Sequence, residues 1–361
     1  MYQPPTTFFR HILQIARDSG ASDIHLVAGL PPAFRVSGEI IMAPRHDPLT
    51  ADVLRDFACT LLNDIQRARF EQERELCVSH FDAEWGRVRL SFYHRVGIPE
   101  LSIRMCTQQI RSADELMLPE AVTALARRTS GLVLITGPTG MGKTTTMNYL
   151  IDVINASRRG KIITIEDPVE FEHAHRKCII TQIEVGTDTL GFASCLRHVL
   201  RLNPDVIAVG EMRDMETIET ALTAAETGHL VLATLHTPSA GGTVERVIGS
   251  FDGQRQPQAV LQLASTLQGV VTQRLVPSVE KDRLLLATEV LLATDAVRNL
   301  VREQKPHLLH NAISTGRSEG MHSLEDSLAT LYSKGLITYD TALAHSNRPE
   351  VVKALLGRGE R

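Results

Sequence analysis

The stretch GLVLITGPTGMGKTTT, residues 131–146, constrains this chain more than any other. Its apolar opening reads as a buried strand, a glycine-rich turn follows, and Thr144 to Ile154 continues with helical spacing. Strand, tight loop and helix form one unit, and the strand needs a sheet to join. Gly137, Gly142, Lys143 and Thr144 fit the pattern G-x-x-x-x-G-K-[ST]. Glycines there let backbone N–H groups approach an anion without interference from a Cβ. The helix start adds about half a positive charge. The loop Gly137, Pro138, Thr139, Gly140, Met141, Gly142, Lys143, Thr144 and Thr145 is therefore a candidate triphosphate cradle. Lys143 reaches the β- and γ-phosphates, and the Thr144 hydroxyl is the candidate ligand for Mg²⁺.

Further apolar runs repeat the strand–helix alternation from 121 to about 290: KIITIED, KCIITQIEV, DVIAVGE and HLVLATLH. This alternation predicts an α/β fold with a mostly parallel sheet. The run Pro204 to Glu211 is an apolar strand ending in an acid. At the carboxyl end of such a sheet Glu211 can orient an attacking water or help hold a metal–water shell. Glu166 and Asp167 also end a strand, which Pro168 breaks. The residues alone leave them open between solvated acids and groups facing a metal. His229 and His236 bracket another strand. Each reads either as a satisfied structural histidine or as a phosphate sensor or metal-shell partner, and their spacing puts them near opposite strand ends. No third ligand is spaced with them for zinc.

Composition excludes several classes. The 361 residues are 43% apolar, enough for more than one core, with net charge −4 and 4% aromatics. That charge and aromatic content do not suit a dedicated nucleic-acid binder, so no nucleic-acid partner is expected. Cys59, Cys77, Cys106, Cys178 and Cys195 form no CxxC pair and read as free thiols in a reducing cytosol. No apolar run approaches the ~20 residues of a membrane span, and charges break the N-terminal stretch, so a cytoplasmic location is expected.

Upstream, residues 1–106 mix patterns. Phe8 to Ala16 has helical spacing, Asp23-Ile-His-Leu-Val reads as a short strand closed by Leu30-Pro-Pro, and Asp52 to Glu73 reads as two helices. From Trp85 the chain alternates, with Val88, Leu90 and Phe92 on one face and Arg87, Arg89 and Ser91 on the other. Leu101 to Met105 is its expected hairpin partner. Residues 107–120, ending at Pro119, are the candidate linker, 121–290 the nucleotide domain, and 291–361 a helical region with a fraying polar end.

Four blocks stand in order: GPTGMGKTTT, TIEDPVEF, NPDVIAVGEMRD and TGHLVLATLHT. With them, the chain resembles the hexameric ATPases of protein secretion and type IV pili, in which these are the Walker A, Asp box, Walker B and His box. The resemblance covers nearly the whole chain. It implies a RecA-like P-loop ATPase domain that binds ATP, an N-terminal α+β PAS-like domain over 1–106, C-terminal helices and a homohexamer. By resemblance, Glu211 is catalytic, Glu166 assists, His236 senses the γ-phosphate, and His229 belongs to the same set. The family also sends arginines from its N-terminal domain to the nucleotide, a role that falls on Arg89, Arg95 and Arg104, with Arg87 as a fourth. On pattern alone they would be a solvated strand face.

Three features are similar to the retraction (twitching motility) branch: the short chain, the lack of a four-cysteine zinc element, and AVRNLVRE at 296–303, an amphipathic octet. That branch implies peripheral attachment at the inner membrane, a pilus platform protein as partner, and a second retraction ATPase as a further one. Accessory retraction, pilus assembly, and type II or type IV secretion motors stay open. Met141, Asn203 and Pro238 depart from the usual family residues, and none of them removes a catalytic group.

Overall fold

The structure, a computed structural model, describes residues 5–36, 38–43, 46–82, 86–106 and 109–357. Trp85, Thr107, Gln108 and the last four residues of the polar end lie outside the described residues. The chain divides into two compact units.

The first unit comprises residues 1–109 together with Asp167–Glu172 and Glu184–Leu190. It holds α1 (Pro5–Asp18), β1 (Asp23–Leu26), β2 (Ala33–Val36), β3 (Glu39–Met42), α2 (Ala51–Leu61), α3 (Asp64–Glu73), β4 (Glu75–Asp82), β5 (Gly86–Arg95) and β6 (Ile98–Met105). The sheet order is β3-β2-β1-β6-β5-β4, and every registered pair is antiparallel. The helical spacing in α1 buries Phe9, Ile12, Leu13 and Ala16 against Leu54, Phe57, Ile24 and Leu26, and the alternation of β5 adds Val88, Leu90 and Phe92. Asn63 starts α3 with a reciprocal capping box to Gln66, which splits the 52–73 run into its two helices. The strands β2, β3 and β4 were not expected from the sequence. The two later stretches join this unit through polar contacts: Ser79 Oγ hydrogen bonds Glu184, and Arg89 lies 3.7 Å from Glu170.

The second unit begins with α4 (Ala113–Leu116) and α5 (Glu120–Leu125). Ser112 caps α4 through a capping box, and Pro119 precedes α5. Part of the expected linker is therefore helical. The chain continues through β7 (Gly131–Thr136), α6 (Lys143–Ser157), β8 (Gly160–Glu166), β9 (Cys178–Glu184), α7 (Phe192–Val199), β10 (Val206–Val209), α8 (Met215–Glu226), β11 (Leu230–Leu235), α9 (Ala240–Gly249) and α10 (Gln256–Thr266). Then come β12 (Leu267–Pro277), β13 (Leu284–Leu292), α11 (Asp295–Arg302), α12 (Leu309–Thr315), α13 (Leu324–Ser333), α14 (Tyr339–Ala344) and α15 (Pro349–Gly357).

The sheet runs β13-β12-β7-β11-β10-β8-β9. Strands β12, β7, β11, β10 and β8 pair parallel to one another, and β13 is antiparallel to β12. Parallel strands covered on both faces read as continuous apolar runs. Accordingly, β7, β10 and β11 are buried at every position. The C-terminal helices pack on the far strands: Leu324, Leu328, Leu331, Ile337 and Val352 cluster with Val276, Leu285 and Ala287. The polar end expected to fray is helical over Pro349–Gly357 and buries Val352.

Candidate active site

In an open parallel sheet, ligands bind beyond the carboxyl ends of the strands. The register brings four of these ends together. Thr136 of β7 lies beside Leu235 of β11, Ala233 of β11 beside Val209 of β10, and Val209 beside Ile165 of β8. The phosphate loop, His236, Gly210-Glu211 and Glu166 therefore leave one edge of the sheet next to each other. Sequence distance is converted to proximity by strand order alone.

The loop is shaped by glycine. Gly137, Gly140 and Gly142 all have positive φ. At Gly137 a Cβ would also lie 2.4 Å from the Gln273 carbonyl oxygen on β12, so no side chain fits. Met141 takes the Leu275 N–H on its Sδ at 3.2 Å. Leu275 lies beyond the last β12 residue paired with β7, and the methionine supplies the acceptor that the neighbouring strand no longer provides. Gln273 reaches the following helix as well, donating to Thr146 Oγ1 at 2.7 Å. Lys143 opens α6 with Thr144 and Thr145 behind it in the first turn.

Lys143 is buried, with 8% of the residue exposed. It donates to the Gly137 carbonyl at 2.8 Å, the Pro138 carbonyl at 2.9 Å and His236 Nδ1 at 3.3 Å. Three donors meet three acceptors. Burial holds its pKa below the usual lysine value, opposed by the Glu211 charge. Because an ammonium can only donate, Nδ1 of His236 accepts. Nε2 then carries the proton and donates to Glu211 Oε1 at 3.0 Å. Thr139 Oγ1 is also 3.3 Å from Nδ1. The second Glu211 oxygen accepts from Arg213 Nη2 at 2.8 Å. Burial pushes the Glu211 pKa up, but the hydrogen bond and charge of Arg213, joined by the His236 hydrogen bond, outweigh it and hold the carboxyl below its ordinary value.

Glu166 ends β8 almost fully buried, its Oε1 accepting from Thr164 Oγ1 at 2.6 Å and Gln182 Nε2 at 3.0 Å. Its position beside Gly210 follows from the β8–β10 register. The structure thus brings together Lys143, His236, Glu211 and the loop glycines, with Glu166 at the adjoining strand end.

His229 is not among them. It precedes β11 at the end where Leu230 faces Gly131, the whole length of a strand from the loop. Its Nδ1 donates to the Ala224 carbonyl at 2.9 Å at the close of α8. The N-terminal arginines are held inside the first unit. Arg89 donates to Cys77 Sγ at 2.9 Å, Arg95 to Glu100 at 2.7 Å and Arg104 to Asp23 at 2.9 Å, while Arg87 donates to Ser79 Oγ at 2.7 Å.

Sequence reasoning missed Arg213, Gln273 and a hydroxyl chain behind the loop. In that chain Thr237 Oγ1 meets Thr243 at 2.7 Å, Thr243 meets Thr136 at 3.4 Å, and Thr136 meets Thr272 at 2.9 Å. Arg213 had one available signal, a cation two positions beyond a strand-end acid, where an extended chain projects both side chains the same way. The threonines carried no signal, because only strand order unites them.

The family model described as "Type II/IV secretion system protein" matches residues 3–331. The type IV pilus retractation ATPase PilT of Pseudomonas aeruginosa is 40% identical, across 94% of this chain and 98% of the relative. The type IV pilus ATPase PilU of the same organism is 36% identical, across 97% and 92%. A crystal structure of the pilus retraction motor PilT with bound ADP superposes with a TM-score of 0.89 at 39% identity, covering 95% of this chain and 98% of that one.

Proposed function

The chain belongs to the type II/IV secretion system protein family, and from this we propose that it is an ATPase motor that powers type IV pilus retraction. The observation that carries the chemistry is the His236 ring set between Lys143 and Glu211. Retraction is supported by full-length similarity to a relative named for that task.

ATP binding puts the triphosphate on the loop amides and the first turn of α6. The Lys143 ammonium, already aimed at the carbonyls of its own loop, exchanges them for phosphate oxygens. Loss of that partner frees His236 Nδ1, and the ring registers whether a γ-phosphate is there. Glu211, kept ionised by Arg213, orients the attacking water in line with the γ-phosphorus. A carboxylate held below its ordinary pKa is a poor proton store and a good hydrogen-bond acceptor, which suits a water-orienting group. Glu166 supports the same region from β8.

The donor set also fits Mg²⁺. The Thr144 hydroxyl stands in the first turn of α6 next to the phosphate-facing lysine. Among the described residues no cluster of three metal-binding side chains occurs, and magnesium in such sites is held largely by phosphates and water. When bound, the ion would neutralise charge on the β- and γ-phosphates. Thr144 and the strand-end acids are the residues that would hold it.

The working particle in this proposal is a homohexameric ring, checked by solution mass, acting at the cytoplasmic face of the inner membrane on a pilus platform protein. No described helix is long and apolar enough to cross a membrane. The domain roles follow the same reading, with ATP hydrolysis in 121–290. A second reading, an accessory or assembly motor of the family, is favoured by the full-length similarity to the second pilus ATPase. Lys143→Ala should retain the fold and lose at least about 100-fold in ATP turnover. In cells, loss of the gene should give excess pili without movement. Undiminished hydrolysis by the variant would overturn the site, and bald cells would point to assembly instead.

A further inference from the structure

A cluster of buried charge unrelated to the phosphate loop in sequence joins Glu325 to residues 346–348, a segment beyond residue 331, where the family match ends. Glu325 on α13 is 1% exposed. Its Oε1 accepts from Ser346 Oγ at 3.0 Å and from the backbone N–H groups of Asn347 at 3.2 Å and Arg348 at 3.1 Å, and its Oε2 accepts from Arg348 Nη2 at 3.1 Å. Four donors on one buried carboxylate fix the backbone of 346–348. This leaves the Asn347 side chain projecting from a rigid base.

That side chain has two partners. Its Oδ1 accepts from Arg274 Nη2 at 3.1 Å, and its Nδ2 donates to the Pro238 carbonyl at 3.2 Å. Arg274 sits on β12 between Gln273, which packs on Gly137, and Leu275, which donates to Met141. Pro238 is the second residue after His236. Asn347 therefore bridges the strand that grips the phosphate loop and the loop that carries His236. The residues on either side of Pro238 have their own ties: Thr237 to Thr243, and Ser239 to Gly242 N as the cap of α9. Ala240 N is held by the buried Glu289 at 2.6 Å. Proline has no N–H, so its carbonyl is the only backbone group through which Pro238 can be tethered.

We infer that Asn347 is a positioning residue for hydrolysis, setting the distance of His236 from Lys143 and Glu211 through Pro238. The inference rests on the reading of this site as an ATPase. Asn347 touches no reacting group. Its effect is on the placement of a ring whose hydrogen bonds on both sides need sub-ångström precision. It lies beyond the residues that the family model matches.

The test compares Asn347→Ala, Asn347→Asp and Asn347→Gln by steady-state phosphate release over a range of ATP. Aspartate keeps an oxygen for Arg274 but has no N–H for Pro238, while glutamine keeps both functions. The alanine and aspartate variants should each lose roughly 3- to 10-fold in kcat with KM for ATP and melting temperature unchanged, since the side chain is exposed. Glutamine should recover part of the loss. Wild-type kcat in the aspartate variant, or a raised KM with kcat intact, overturns the inference while the ATPase reading stands. A wild-type protein without ATP turnover overturns both.

Discussion

Arg213 sets the electrostatics of the site. Its guanidinium is 2.8 Å from Glu211, and with His236 it keeps that carboxyl ionised below the ordinary carboxylate range despite burial. Since the folded pKa is depressed, the stabilisation from this pair is present above the unfolded value and is lost as pH falls through the folded one. Arg213→Ala removes the leading opposition to burial, so the Glu211 pKa must rise. The acid limb of the kcat/KM profile should then move to higher pH, with the neutral plateau reduced. A limb that stays in place would mean that another group limits turnover in acid. At this scale the sequence was partly legible. Lys143, Glu211 and His236 were readable because each follows a strand whose apolar run marks its end. Arg95 and Arg104 were read toward the nucleotide by resemblance, and each has a carboxylate partner in its own unit that pattern could not reveal. Asp23 faces Arg104 only because β1 and β6 are neighbours.

The decisive element is β7. It is buried along its whole length between β11 and β12, and it delivers the phosphate loop at its carboxyl end. Leu134 at its centre is fully buried. Leu134→Ala should cost about 2–5 kcal/mol, read as a lower denaturant midpoint for the second unit. The transition of the first unit, which has its own core, should be unmoved. A shift of both together would show that the two cores unfold as one. Strands such as β7, β10 and β11 were legible as apolar runs. In contrast β12 and β13 were not expected, although β12 grips the loop from the other side. Gln268, Thr272, Gln273 and Arg274 interrupt its apolar pattern, and the last three make hydrogen bonds toward the phosphate-loop unit and the C-terminal segment. Polar residues placed for a site blur the signal that pattern reading depends on.

For the whole molecule, the α/β class and the two kinds of sheet follow from periodicity: alternation in β5 for a sheet with one buried face, continuous runs for the parallel sheet. The division into units was less legible. Asp167–Glu172 and Glu184–Leu190 lie in the middle of the nucleotide-domain sequence and group with the first unit. Arg87, 3.7 Å from Glu172, and Arg89, 3.7 Å from Glu170, pair with that first stretch over long sequence distances. Such pairing depends on tertiary approach, which no local pattern encodes.

The central claim is that ATP held by the loop and Lys143 is cleaved with Glu211 orienting the water. Phosphate release and ATP binding, measured on purified wild type and Glu211→Gln, test it most directly. The account predicts that the variant binds ATP as the wild type does and releases phosphate about 10²- to 10³-fold more slowly. Equal phosphate release from the two proteins would contradict it.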